Sequence, residues 1–181
     1  MRIIGGKARG TKLDTLDGEH TRPTLDRVKE ALFNIIQNNV YDSVVLDLFS
    51  GSGALGLEAI SRGAKEAYLC DNSRDAIRII EKNIKKVHFE NNINLMQLNY
   101  TECIEKIKHK EFDIIFLDPP YKSEYDIIAL KKIIENDMLS ENGIIVIETD
   151  REKEKLEELK KININIYDLR KYGRVSLIFL N

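Results

Sequence analysis

Tryptophan is absent from this chain, and its 181 residues include only two cysteines and three histidines. Cys70 and Cys103 are far apart, and neither has a histidine or another cysteine nearby. The sequence therefore predicts neither a zinc site nor a disulfide framework, and both cysteines are expected to be small buried residues. The histidines are equally scattered and show no metal-ligand spacing, so we expect no metal cofactor.

Long apolar runs are also missing. No segment approaches the length that spans a bilayer. Between Met1 and Gly10, the basic residues Arg2, Lys7 and Arg9 interrupt what would be the apolar stretch of a signal peptide. We therefore expect a soluble cytoplasmic protein with no membrane partner.

A strong net charge is absent too, because 28 basic and 30 acidic residues give a formal charge of -2. This excludes the overall basic field of a bulk nucleic-acid binder, so any contact with nucleic acid must be local. The N-terminal segment offers such a patch, since four basic residues precede the first acid, Asp14: Arg2, Lys7, Arg9 and Lys12. Arg22, Arg27 and Lys29 follow. Charge alone leaves a solvated surface run as an alternative.

The length and the 43% hydrophobic content are enough for one core but too small for two ordinary domains. We expect a single domain over residues 1–181, with an N-terminal arm at 1–22 and a helix plus core at 23–181. We also expect a monomer.

Short apolar runs alternate with amphipathic stretches from Tyr41 onward, which is typical of βαβ units around a parallel sheet. The predicted strands are Val44 to Phe49, Glu66 to Asp71, Ile93 to Leu98, Asp113 to Asp118, Ile144 to Thr149, Ile164 to Leu169 and Val175 to Leu180. The predicted helices between them are Leu55 to Arg62, Ser73 to Val87, Glu102 to Lys108, Glu124 to Asn136 and Arg151 to Lys161. The last two strands lack a crossover helix, so they should form an antiparallel hairpin.

The segment before this pattern differs from it. Arg2 to Leu13 contains three glycines and is predicted to form a small arm or hairpin. Pro23 and Thr24 then introduce a helix predicted over Leu25 to Asn38. The fold class is thus α/β, with a seven-stranded, mainly parallel sheet.

A glycine-rich loop, Asp47 to Gly56, lies where the first strand turns into the following helix. Its Gly51, Gly53 and Gly56 satisfy G-x-G-x-x-G, which by itself indicates a dinucleotide site. Asp47, just ahead of the loop, favours a cationic ligand, because a carboxylate there would repel the two phosphates of NAD. We therefore favour S-adenosylmethionine, whose sulfonium and ammonium groups are positive, and keep the dinucleotide as the alternative.

Two further strand ends carry side chains suited to a nucleoside. Asp71 ends the second strand and can accept both ribose hydroxyls, or it can cap the next helix. Asn99, past the third strand, can bond the adenine edge together with the Tyr100 backbone N–H, or it can cap the helix that follows.

The most specific pattern is Asp118-Pro119-Pro120-Tyr121 at the end of an apolar strand. Two prolines fix the backbone there. An exocyclic base amine is a poor nucleophile because its lone pair is delocalised into the ring, and acceptors such as the Asp118 carboxylate and Pro119 carbonyl draw its N–H bonds out of plane. Tyr121 can stack on a base that has left its helix. The alternative is a proline-stiffened surface turn.

These residues resemble known motifs. Asp118 to Tyr121 is similar to the (Asn/Asp/Ser)-Pro-Pro-(Tyr/Phe/Trp) motif of amino-methyltransferases, and Asp47 to Gly56 is similar to their cofactor loop. The N-terminal half adds Arg2-Ile3-Ile4-Gly5-Gly6, Arg9-Gly10, Thr21-Arg22-Pro23-Thr24 and Asp26-Arg27-Val28-Lys29-Glu30-Ala31-Leu32-Phe33-Asn34. Together they resemble the RsmD family, which methylates a guanine N2 of bacterial 16S ribosomal RNA.

This resemblance implies a Rossmann-like class I methyltransferase with S-adenosylmethionine as donor and a small ribosomal subunit, or its assembly intermediate, as substrate. The target implied is guanine 966 of 16S ribosomal RNA. The predicted cofactor contacts are Asp47, Phe49, Gly51, Gly53, Asp71, Asn72, Asn99 and Tyr100. The predicted catalytic residues are Asp118, Pro119, Pro120 and Tyr121, and the predicted RNA contacts are Arg2, Lys7, Arg9, Lys12, Arg22, Thr24 and Arg27.

Three alternatives remain. A DNA adenine-N6 methyltransferase would use the same Asp-Pro-Pro-Tyr chemistry, although 181 residues leave no room for a domain that reads DNA sequence. An RNA-binding assembly factor could keep the fold without turnover. An NAD oxidoreductase would need a hydride-handling residue, for which the sequence offers no candidate.

Overall fold

The structure, a computed structural model, describes residues 1–16, 23–120 and 124–181, and for residues 23–25 it describes the backbone alone. The strands are β1 (Val44–Asp47), β2 (Glu66–Asp71), β3 (Ile93–Gln97), β4 (Phe112–Leu117), β5 (Leu139–Thr149), β6 (Ile166–Tyr172) and β7 (Val175–Leu180). The helices are α1 (Pro23–Ile35), α2 (Gln37–Val40), α3 (Ala54–Ser61), α4 (Arg74–Val87), α5 (Tyr100–Ile107), α6 (Tyr125–Glu135) and α7 (Glu152–Ile162).

The seven strands form one sheet in the order β3-β2-β1-β4-β5-β7-β6. β1 to β5 are parallel, whereas β7 pairs antiparallel with both β5 and β6. Central strands such as β4, which reads FDIIFL, are buried at nearly every position, as expected for parallel strands covered on both faces. The predicted mainly parallel sheet and the predicted C-terminal hairpin are both confirmed.

Two apolar layers cover the sheet. On one face, α1, α3 and α4 pack side chains such as Phe33, Leu57 and Ile80 against alternate strand residues, among them Phe116. On the other face, α5, α6 and α7 pack against the remaining strand positions. Helix α4 shows why the sequence folds this way, because its buried residues recur at helical spacing and the Ser73 side chain accepts a hydrogen bond from the Ala76 N–H.

The structure differs most from the predicted elements in β5, in the first helix and in β6, which spans Ile166–Tyr172 instead of Ile164 to Leu169. Most other ends differ by one or two residues. β5 begins at Leu139 rather than Ile144, because Leu139 pairs with Phe112 across a register shift in β4. The helix predicted over Leu25 to Asn38 is divided at Ile36, and the short α2 follows. The asparagines in this segment lower its helix propensity, since their side chains compete for backbone hydrogen bonds. No helix within the described ranges is long and apolar enough to cross a membrane.

The N-terminal segment forms a hairpin-like arm, here defined as residues 1–16. An antiparallel bridge joins Arg2 to Lys12, and Ile3 and Leu13 are buried in the apolar layer that contains α1 and α3. The predicted small arm or hairpin is therefore confirmed.

A fully buried carboxylate, Glu58 of α3, anchors the arm. It accepts hydrogen bonds of 2.8 Å from the backbone N–H groups of Ile4 and Gly5. Its oxygens also form ion pairs with Lys29 at 3.1 Å and Arg62 at 2.7 Å. Because a buried carboxylate must be paired to be tolerated, these contacts fix the arm to α1 and α3 together.

Candidate active site

A cavity of about 720 Å³ lies at the carboxyl ends of β1, β2, β4 and β5. After β1 the chain adds β2 and β3 on one side of the sheet and then returns to place β4 on the other side. Ligands of open α/β sheets bind at this kind of switch in strand order. The arm closes one side of the cavity through Met1, Thr15 and Leu16.

The glycine loop forms the floor of the cavity between β1 and α3. The Gly51 N–H donates to Asp71 Oδ2 over 2.9 Å, and the Gly53 N–H donates to the Ser50 carbonyl over 2.6 Å. Gly53 has a φ of 78°, which side-chain-bearing residues rarely adopt, and a Cβ there would lie 3.1 Å from Leu69 Cδ2. The loop is thus held tightly against β2.

Asp47 ends β1 beneath this loop and is almost completely buried. Its Oδ2 accepts a hydrogen bond of 3.1 Å from the Gly56 N–H. Burial raises the pKa of Asp47 to about 7, and the nearby Asp71 charge acts in the same direction, whereas the Gly56 and Ser50 hydrogen bonds oppose it. A cation in the cavity would favour the ionised form of this carboxyl group.

Asp71 lies at the end of β2 and lines the same cavity together with Asn72. Its two oxygens accept hydrogen bonds from the Gly51 N–H and from the Ser73 N–H, the latter over 2.8 Å. The N-cap of α4 is Ser73, so Asp71 is not the residue that caps this helix. Each carboxylate oxygen keeps a further acceptor position for a ligand.

An aromatic group lies beside the glycine loop. The rings of Phe49 and Tyr100 have centroids 5.4 Å apart, and those of Tyr100 and Tyr125 are 5.0 Å apart. All three line the cavity, together with Leu98. This wall is suited to a flat aromatic ligand.

Asn99 is the N-cap of α5. Its side-chain oxygen accepts hydrogen bonds of 3.0 Å from the N–H groups of Thr101 and Glu102, and Glu102 completes a capping box. Asn99 and Gly53 are not among the residues that line the cavity. The capping role left open for Asn99 is therefore observed, while its contact with adenine stays a prediction.

Asp118, Pro119 and Pro120 follow β4 and line the cavity opposite the glycine loop. The structure thus brings the two motifs of the sequence to one cavity, although they are separated by more than sixty residues of chain. Tyr121, the fourth residue of this motif, lies outside the described residues.

The basic residues predicted to contact RNA occupy different environments. Arg2 forms an exposed ion pair of 3.7 Å with Asp26. Lys7, Arg9, Lys12 and Arg27 are exposed, and none of them forms an ion pair within the described part of the chain. Arg22 and the side chain of Thr24 are outside what the structure describes.

Sequence reasoning did not single out Glu148, Tyr125 or Asn83. Glu148 and Tyr125 line the cavity, and Asn83 donates to the Ser52 carbonyl of the glycine loop over 2.9 Å. A signal for Glu148 was available, because it is the acid at the end of the apolar run Ile144 to Ile147, just as Asp118 follows Ile114 to Leu117. Asn83 had no such signal, since it lies within an ordinary amphipathic helix.

The arrangement can bind a cationic nucleoside beside a flat aromatic amine. Two carboxylates and a helix N-terminus surround one part of the cavity, and the Asp118 segment borders the other. No group of three or more potential metal-ligating side chains is found in residues 1–16, 23–120 and 124–181.

The strand order and this site define a Rossmann-like class I methyltransferase fold. A solved structure of yhhF from Escherichia coli, provisionally named a methyltransferase, matches with a TM-score of 0.83 and 30% identity, covering 99% of this chain and 96% of that one. The family model described as Conserved hypothetical protein 95 matches residues 1–181. The chain belongs to this family, the RsmD family.

Two named relatives agree with this assignment. Ribosomal RNA small subunit methyltransferase D of Haemophilus influenzae is 37% identical over 157 residues, which cover 84% of this chain and 80% of the relative. YlbH of Bacillus subtilis, provisionally named an rRNA methyltransferase, is 39% identical over 156 residues, 85% of each chain.

Proposed function

We propose that this protein transfers a methyl group from S-adenosylmethionine to the exocyclic N2 of a guanine in 16S ribosomal RNA, with guanine 966 as the target. The S–CH3 bond breaks as the N–CH3 bond forms, S-adenosylhomocysteine leaves, and the amine loses one proton. The substrate is the small ribosomal subunit or its assembly intermediate. One observation carries the proposal: the Asp118-Pro119-Pro120 segment and the carboxylates of Asp47 and Asp71 line the same cavity. The names of the RsmD relatives support an RNA substrate.

The residues of the cavity fit S-adenosylmethionine. Asp47 is buried with a pKa near 7, so a positive ligand group offsets the cost of ionising it. Asp71 can accept the ribose hydroxyls, and Phe49 and Tyr100 provide an apolar wall for adenine. The bound donor supplies an electrophilic methyl group on a sulfonium. The dinucleotide alternative is disfavoured because phosphates would lie against two carboxylates.

Asp118 and the Pro119 carbonyl are the proposed acceptors for the two N–H bonds of the guanine amine. Accepting them out of the ring plane returns lone-pair density to N2 and directs it at the methyl carbon. The proline pair keeps these acceptors in place, so most of the rate derives from positioning. Tyr121 is the proposed stacking partner of the extruded base.

The proposed RNA contacts are Arg2, Lys7, Arg9, Lys12, Arg22, Thr24 and Arg27. Among them, Arg2, Lys7, Arg9 and Lys12 of the arm and Arg27 of α1 are exposed basic residues, whereas Arg22 and the side chain of Thr24 lie outside the described residues. Because the arm borders the cavity through Met1, Thr15 and Leu16, RNA held by the arm would lie next to the active site. Lys7, Arg9, Lys12 and Arg27 form no ion pair with a described residue, so they can neutralise phosphates without first losing a partner, whereas Arg2 would exchange its exposed pair with Asp26.

The test is transfer of labelled methyl from S-adenosylmethionine to small subunits that lack this modification, followed by nuclease digestion and mass spectrometry. We expect N2-methylguanosine at one site. Label in DNA as N6-methyladenine would instead assign the protein to the DNA adenine class. Binding of RNA without any label would support the assembly-factor alternative.

A further inference from the structure

Glu148 lies beside Asp118 at the end of the sheet. β4 and β5 are parallel, and their register pairs Phe116 with Val146 and Leu117 with Ile147. The next residues in this register are Asp118 and Glu148. Neighbouring strands are about 4.8 Å apart and paired residues point to the same face, so the two carboxylates approach the cavity side by side, and both line it.

The carboxylate of Glu148 has no hydrogen bond or ion pair with any residue that the structure describes. Lys29 also lines the cavity, but its ammonium group binds Glu58 and the Arg2 carbonyl. Burial raises the pKa of Glu148 to about 7. A largely buried carboxylate with no partner among the described residues is costly to ionise, and a ligand with an N–H donor would offset this cost.

We propose that Glu148 reads the target base by accepting the N1–H of guanine while Asp118 accepts from the N2 amine. This inference rests on the proposed function. Guanine places two donors, N1–H and the N2 amine, next to each other on its Watson–Crick edge, which matches two adjacent carboxylates. Adenine has an acceptor at N1, so the ionised Glu148 carboxylate, which predominates above about pH 7, would repel it. Flipped bases are read through this edge.

Glu148 thus acts as a specificity-determining residue for guanine. A charge-assisted hydrogen bond is about twice as strong as a neutral one. Its loss should therefore reduce kcat/KM about 10- to 100-fold. The effect should depend on the donor at N1 of the base, which a purely structural role for Glu148 would not produce.

The test compares guanine with 2-aminopurine at the target position of reconstituted small subunits, at about pH 8.5, where the Glu148 carboxyl group is ionised and cannot donate to N1. The analogue keeps the N2 amine but has an acceptor at N1. We expect the wild-type protein to prefer guanine by about 10- to 100-fold in kcat/KM. In Glu148→Gln the side-chain amide can donate to N1 of the analogue, so this preference should shrink at least about tenfold. An unchanged preference in the variant would overturn the inference.

Two control variants test whether the change in base preference is specific to the carboxylate of Glu148. Glu141→Gln changes an exposed carboxylate of the same strand and should keep the wild-type preference. Glu148→Asp keeps the charge but shortens the side chain, so it should lower kcat/KM on guanine and retain the preference for guanine. Full activity of Glu148→Asp on both bases would contradict the proposed contact. Absence of N2-methylguanosine with the wild-type protein would instead refute the proposed function itself.

Discussion

Asn83 exchanges two hydrogen bonds with the backbone of Asp14: its side-chain oxygen accepts from the Asp14 N–H over 2.8 Å, and its amide donates to the Asp14 carbonyl over 2.9 Å. The same amide nitrogen donates to the Ser52 carbonyl over 2.9 Å. One fully buried side chain of α4 therefore joins the arm to the glycine loop.

Asn83→Leu should weaken both connections. The variant leaves three backbone groups without their partner, so we expect the free energy of unfolding to fall by about 2 to 4 kcal/mol. Binding of S-adenosylmethionine should weaken as well, because Ser52 loses its support. Urea denaturation and calorimetric titration measure these effects, with the exposed Asn94→Ala as control. If Asn83→Leu were as stable as the wild-type protein, Asn83 would not be the residue that joins the arm to the glycine loop.

Gly6→Ala should displace the arm, whereas Gly10→Ala should not. Both glycines have positive φ, 74° and 87°, so the backbone strain of about 1 kcal/mol is common to both variants. A Cβ at Gly6 would lie 1.7 Å from the Ser61 carbonyl oxygen, while nothing lies within 4 Å of one at Gly10. Protease cleavage of the arm and thermal melting should distinguish the two. If the two variants had equal protease sensitivity and equal melting temperatures, the Ser61 backbone would have moved to accommodate the added Cβ, and the expected displacement of the arm would be wrong.

Asp118→Ala should retain the affinity for S-adenosylmethionine and lose turnover. Removing one positioned acceptor costs about 100- to 1,000-fold in kcat. Single-turnover methyl transfer to small subunits measures this loss, and Asp75→Ala on the exposed surface of α4 is the control. Unimpaired transfer by the Asp118 variant would remove this residue from the reaction.

Binding of S-adenosylmethionine should tighten as pH rises from about 5 to 7. In the protein without ligand the pKa of Asp47 is raised to about 7, mainly by burial, so the group is protonated below that pH. A cation binds better to the ionised form, and binding therefore releases a proton. Titration calorimetry in buffers of different ionisation enthalpy measures the number of protons released on binding. Asp47→Asn should flatten the profile, and a flat wild-type profile would exclude Asp47 as the partner of the cation.

Arg9→Ala combined with Lys12→Ala should weaken binding to small subunits in a salt-dependent way. The logarithm of the binding constant falls linearly with the logarithm of the salt concentration, and the loss of two phosphate contacts should make this slope less steep by about 1.5. Lys160→Ala combined with Lys161→Ala, on the helix layer at the opposite face of the sheet, should leave the slope unchanged. An unaltered slope in the arm variant would exclude the arm as the phosphate contact.

The strand ends were predictable from sequence, and the contacts between distant segments were not. Asp47, Asp71 and Asp118 each end an apolar run, and the carboxyl ends of parallel strands meet at one edge, so their convergence follows from the alternation of elements. The Lys29 ion pair with Glu58 and the contact of Asn83 with Asp14 join residues 29 and 69 positions apart. Neither contact could be recognised from the local sequence, because Lys29, Glu58 and Asn83 are residue types that are also common on the exposed face of a helix.

The strand order also has a consequence for how the chain completes its fold. Among the described strands, β6 pairs with β7 alone, although β6 precedes β7 in the chain. During synthesis, Ile166–Tyr172 has no place in the sheet until Val175–Leu180 has left the ribosome and paired with β5. The edge of the sheet is therefore closed after translation of β7, and a chain halted before that point would expose β5 as an open edge prone to pairing with other chains.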